Sequence, residues 1–95
     1  MALELRWSKA ATKNFDKIIT YLFEDWGETT AKTYVRKASL FLNILSEFPE
    51  MGVLENTKKD IRGFVLTKNT TVFYKVKGDV IVILNFYDNR KRRKK

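Results

Sequence analysis

An α+β fold of order β-α-α-β-β-β, an antiparallel helical hairpin packed on one face of a small, mainly antiparallel sheet, is predicted by three features of this 95-residue chain. Apolar residues recur at three- and four-residue steps between Ala11 and Phe48, the period of helices buried on one side. From Ile61 the pattern changes to β-branched and aromatic runs divided by short turn signals. The break between the two helical stretches is only a few residues long, which forces them to lie antiparallel.

Each element has its own signature. Leu3, Leu5 and Trp7 alternate with Glu4 and Arg6, as in a half-buried strand. Ser8 is a helix N-cap, and Ala11, Phe15, Ile18, Ile19, Leu22 and Trp26 form the buried stripe of the helix it opens. Gly27 is placed to end that helix. The second helix is expected to be capped by Thr29 or Thr30. It should bury Ala31, Tyr34, Val35, Ala38, Phe41, Leu42, Leu45 and Phe48, and stop at Pro49 and Gly52 of FPEMG. Residues Glu55 to Asp60 are polar and read as a loop. Three strands follow, IRGFVLT, TVFYKV and VIVILNFY, with turns at Lys68-Asn69 and Gly78-Asp79. The last run is apolar on both alternations, which predicts a central strand.

Helices of about 17 residues, roughly 25 Å long, match strands of about seven residues. The hairpin can therefore cover one sheet face, leaving the other to carry polar side chains or receive a ligand. Arg62 and Tyr74 are the strand residues expected to decorate that open face, although a period-2 pattern does not fix which alternation points outward.

Length and composition allow one compact domain, residues 1–89, followed by a basic tail, residues 90–95. Of 19 Lys and Arg, six lie in that tail, so the body carries 13 positive against 11 negative residues and is near neutral. The +8 net charge is thus a local feature that draws a polyanion or an acidic protein toward the C-terminus. The chain has no Cys and no His, which excludes disulfides, Cys- or His-based zinc sites, Cys nucleophiles and a Ser-His-Asp triad. No cofactor is expected. The longest apolar run, Val80 to Leu84, is far too short to span a bilayer, and a cytoplasmic protein without a membrane partner is expected.

Two sets of side chains could carry chemistry. Arg62, Lys68, Lys75, Arg90, Arg92 and Arg93, with Tyr74 and Tyr87, could hold a phosphate, stabilise charge developing on it and exchange a proton. The plainer reading is solvated strand residues and a solubility tail, which composition alone favours. The carboxylates Glu24, Asp25, Glu28, Glu47, Glu50 and Asp88 show no spacing that argues for a metal or for acid/base catalysis, and Glu28 suits the dipole of the second helix. Tyr21 and Phe23 lie off the main stripe of the first helix, as a partner surface or as plain exposed aromatics.

The ordered set of short motifs resembles the RelE/ParE toxins of type II toxin–antitoxin systems. It comprises Trp7-Ser8 after a short strand, then Ala11, Phe15, Ile18, Tyr21 and Leu22 in register, Trp26-Gly27, Ala31, the Phe48-Pro49-x-x-Gly52 exit, Ile61-Arg62, Tyr74 and the ILNFYDNR end. The resemblance implies a growth-inhibiting toxin held inactive by a cognate antitoxin encoded nearby. It also implies one of two targets: DNA gyrase for ParE-like members, which need no nuclease site, or ribosome-bound mRNA for RelE-like members, which cleave it without a metal.

By position, the resemblance makes Lys68 and Arg90 catalytic candidates of the nuclease branch; Tyr74, or Tyr87, is the candidate to substitute for the family's tail aromatic, though neither stands at its position. Arg62, Tyr87, Arg90, Arg92 and Arg93 are the candidates for target or antitoxin binding. The tail beyond Arg90 holds only Lys and Arg where the RelE pattern has an aromatic residue, and the long uninterrupted hairpin is ParE-like. Gyrase inhibition is therefore the first expectation, with mRNA cleavage the alternative. A non-toxic basic nucleic-acid-binding module is a third reading, unsupported by any helix-turn-helix or aromatic RNA-binding signature.

Overall fold

The computed structural model describes residues 2–89. The order is β1 (Glu4–Trp7), α1 (Lys9–Trp26), α2 (Glu28–Glu47), β2 (Val53–Asn56), β3 (Ile61–Thr67), β4 (Thr70–Lys77) and β5 (Val80–Asp88). The strands form one sheet in the order β1-β5-β4-β3-β2, with β1 parallel to β5 and every other pair antiparallel. The predicted α+β class, helical hairpin and central last strand are all present, and β2 is an addition. Its four residues are exposed at the sheet edge and lose register between Leu54 and Asn56, so no burial period marked them in the sequence.

Ser8 opens α1 by accepting a hydrogen bond from the Ala11 amide at 3.0 Å, and its hydroxyl donates to the Leu84 carbonyl at 2.8 Å, fastening the helix start to β5. Gly27 both ends α1 and begins α2. Its φ of +99° reverses the chain in a single residue while its amide reaches the carbonyls of Leu22 and Phe23. The expected Thr29 or Thr30 cap is therefore replaced by Gly27, with Glu28 in the first turn of α2 and ion-paired to Lys32 on the surface.

The core lies between the hairpin and one sheet face, where Ala11, Ile18, Tyr34, Ala38, Phe41 and Leu45 meet Leu66, Val72, Tyr74, Ile81, Ile83 and Phe86. Phe86 stacks on Trp7 with ring centroids 5.0 Å apart and packs against Phe15 at 4.7 Å, while Phe41 stacks on Phe64 at 4.5 Å. Three residues expected in the core are on the surface. Trp26 and Phe48 stand at the end of α1 and the C-cap of α2, where the apolar period runs past the packed stretch, and Val35 lies at the margin of its stripe.

Extra residues in β3 (Leu66) and β5 (Leu84) bulge the sheet, each setting two residues against one in the partner strand. On β4 the alternation is unbroken. Val72 and Tyr74 face the hairpin, so Thr71, Phe73, Lys75 and Lys77 belong to the open face, joined there by Tyr87, the cross-strand partner of Thr71. Among the described residues no helix is long and apolar enough to cross a membrane.

Candidate functional site

The sequence-predicted residues fall into two groups at opposite ends of the sheet. At one end, Arg62 and Tyr74 are cross-strand neighbours on the hairpin side, which corrects the expectation that they decorate the open face. The reason is the chain exit from α2. Tyr74 is 0% exposed; its hydroxyl donates to the Pro49 carbonyl and accepts from the Gly52 amide, both at 2.8 Å. The Arg62 guanidinium donates to the Gly52 carbonyl at 2.8 Å and to the Glu50 carbonyl at 3.4 Å. Together they hold the backbone of residues 49–52, which would otherwise present unpaired polar groups beneath the sheet.

Burial raises the Tyr74 pKa, an effect opposed by the Gly52 amide and by Arg62, so the hydroxyl keeps the proton it donates to Pro49. Gly52 is required by close approach: a Cβ there would stand 2.7 Å from Tyr74 Oη and 3.0 Å from the Gly63 carbonyl. Pro49-x-x-Gly52, Arg62 and Tyr74 thus form one structural unit.

At the other end lies the β3–β4 turn, where Lys68 is exposed. Asn89, the last described residue, is bound to this turn. Its amide donates to the Asn69 carbonyl at 2.7 Å, its side-chain amide to the Lys68 carbonyl at 3.5 Å, and its Oδ1 accepts from the Thr71 hydroxyl at 3.0 Å. The exit of the chain is therefore fixed beside Lys68. Sequence reading overlooked Asn89, whose signal is a carboxamide directly after the last strand, where it can serve a neighbouring turn.

Tyr87 is half-buried on the open face, its ring edge-on to Phe73 at 6.3 Å. Beyond Phe73 the same face carries Lys75 and Lys77. Arg62 and Lys68 stand at opposite ends of β3, about 20 Å apart along an extended strand, too far to act on one phosphate. The structure brings Lys68, Tyr87 and the chain exit together and leaves Arg62 and Tyr74 out of that group. Arg90, Arg92 and Arg93, with the whole of residues 90–95, lie outside the described residues. Among the described residues there is no cluster of three His, Cys, Asp or Glu side chains able to hold a metal.

Residues 5–92 match the family described as ParE toxin of type II toxin-antitoxin system, parDE. A search of curated proteins gives no match. Among solved structures, a chain of the chromosomal ParDE TA system from P. aeruginosa superposes with a TM-score of 0.76 at 20% identity, covering 92% of this chain and 96% of that one. The YoeB/ParE toxin from Agrobacterium tumefaciens gives 0.65 at 11% identity, covering 90% and 98%. A chain of the E. coli DinJ-YafQ toxin-antitoxin complex gives 0.64 at 9%, covering 96% and 97%. At these identities the likeness is one of fold.

Proposed function

Because the chain belongs to the ParE toxin family of type II toxin–antitoxin systems, we propose that it arrests growth by inhibiting DNA gyrase and is neutralised by a cognate antitoxin. The match of residues 5–92 to that family carries this reading. Two features of the site support it. Tyr74, a proton-transfer candidate of the nuclease branch, has its hydroxyl committed to Pro49 and Gly52, and it pairs across from Arg62, about 20 Å along the strand from Lys68, another candidate of that branch. An inhibitor that binds its target needs no proton relay; it needs a rigid surface, which the sheet and its fixed C-terminal exit supply.

The test is a supercoiling assay. The purified chain, added to gyrase, relaxed plasmid and ATP, stops supercoiling in a concentration-dependent way and leaves mRNA on translating ribosomes intact. Cleaved mRNA with normal supercoiling would replace the gyrase reading by the RelE-like one.

The antitoxin in this reading carries an acidic, amphipathic segment, whose charge acts chiefly on association rate and salt sensitivity. The basic end of the chain is graded in importance. Arg90 directly follows the anchored Asn89, and its guanidinium suits a directed, bidentate contact, whereas Lys94 and Lys95 lie further along the chain from that anchor and carry ammonium point charges. Arg90→Ala is expected to abolish or sharply weaken toxicity at unchanged melting temperature. Neutralising Lys94 and Lys95 together should alter mainly salt-dependent binding. Equal, small effects at every position from 90 to 95 would reduce the segment to a solubility tail.

A further inference from the structure

Helix α2 carries a second apolar stripe that the core does not use. Leu40, Ile44 and the C-cap residue Phe48 recur at four-residue steps and are 58%, 48% and 65% exposed. At 3.6 residues per turn they stand roughly 100° around the helix from the buried Ala31, Tyr34, Ala38, Phe41 and Leu45. Single exposed apolar residues are ordinary, but three on successive turns of one helix make a continuous strip.

The strip is edged by charge of opposite sign at its two ends. Arg36 and Glu47, both exposed, fall on the rim farther from the core, and Lys37 falls on the nearer rim. Neither Arg36 nor Glu47 is ion-paired among the described residues; the surface pair of α2 is Lys32 with Glu28.

We propose that this strip is the contact between two copies of the chain, which lay α2 against α2 antiparallel about a two-fold axis level with Leu42. The charges select a second copy as the occupant. Arg36 stands six residues before the axis and Glu47 five after it, on the same rim. The two-fold rotation therefore brings Arg36 level with Glu47 of the second copy to within about 1.5 Å of helix rise, and does so twice. Leu40 comes level with Ile44 of the second copy and covers the centre of the strip. Lys37 comes level with Phe48 of the second copy, where an ammonium can sit on the aromatic face. A parallel pair would set Arg36 against Arg36 and Glu47 against Glu47, so the same charges fix the direction. A closed two-fold contact requires a patch that complements itself, and a foreign partner requires no such symmetry.

From Arg36 to Phe48 the strip is roughly 20 Å long and about one helix, roughly 10 Å, wide. It falls well short of the roughly 800 Å² per partner of a stable complex, so the dimer is weak and reversible. Because α2 packs on the hairpin side of the sheet, pairing leaves the open face uncovered and holds for either target of the toxin.

Sedimentation equilibrium of the purified chain tests this, with the melting temperature followed for every variant. The mean mass should rise from one chain toward two as the protein is raised through about 100 μM, the range suited to a contact of this size. Leu40→Glu, at an exposed position, should hold the mass at one chain with the melting temperature unchanged. Arg36→Glu and Glu47→Arg should each weaken self-association about fivefold or more, since each opposes like charges twice per dimer. Mixed in equal amounts, these two variants should pair as strongly as the unaltered chain, because each then offers the other an opposite charge at both positions. The mixture also decides if Leu40→Glu unfolds. A mass of one chain throughout, a dimer undiminished in folded Leu40→Glu, or a mixture no stronger than its components would each overturn the proposal. So would a strip reserved for the antitoxin, seen as a mass of one chain together with a folded Leu40→Glu variant that the neighbouring frame no longer neutralises.

Discussion

Tyr74→Ala brings the domain to the edge of unfolding. The side chain is fully buried, and removing a large aromatic from a core costs about 3–5 kcal/mol. The Gly52 amide is left without its partner, which adds about 1–3 kcal/mol. Set against a total stability of about 5–10 kcal/mol for a domain of this size, little remains. Tyr74→Phe separates the two contributions. It keeps the ring and loses only the bonds to Pro49 and Gly52, so a loss of about 1–3 kcal/mol with the fold intact is expected in urea denaturation. The same variant distinguishes support from chemistry: a structural Tyr74 predicts lower stability with toxicity retained where the protein is folded, and a proton-transferring Tyr74 predicts toxicity lost at little cost in stability.

Phe86→Ala is the second large effect. Phe86 is 1% exposed and joins three elements, stacking on Trp7 of β1 and packing against Phe15 of α1 from its place in β5. Its removal should cost about 3–5 kcal/mol. Its neighbour Tyr87 points to the open face, only half-buried with its ring edge-on to Phe73, so Tyr87→Ala should cost clearly less than Phe86→Ala. A clear difference between adjacent aromatics in one strand is the thermodynamic signature of the alternation. Similar losses at both positions, measured by chemical denaturation, would contradict the placement of the two faces.

These two residues also show what the sequence could and could not reveal. Phe86 sits in a strand apolar on both alternations, legible as central because β5 has neighbours on both sides. The Ser8 cap, the Gly27 break and the Gly78-Asp79 turn were legible because each rests on local chemistry that acts within a few residues. Tyr74 and Arg62 were misplaced because their faces are set by partners at Pro49, Glu50 and Gly52, more than nine residues away in the chain. A period-2 pattern carries no information about that contact.

β2 escaped notice for a related reason: an edge strand exposed on both faces has no apolar alternation to display. Trp26 and Phe48 continue a helical period beyond the region that packs, so pattern alone overstates the core. For the candidate site, the turn at Lys68 was read correctly, while the role of Asn89 in fixing the chain exit beside it depends on hydrogen bonds that only the folded sheet assembles.

The measurement that tests the central claim most directly is growth after induction of this chain alone and together with the reading frame beside its gene, with the amount of folded protein followed in the same cultures. Growth should arrest within the first generations of expressing the chain alone and recover when the neighbouring frame is co-expressed. Folded protein at high level with unaltered growth would contradict the account.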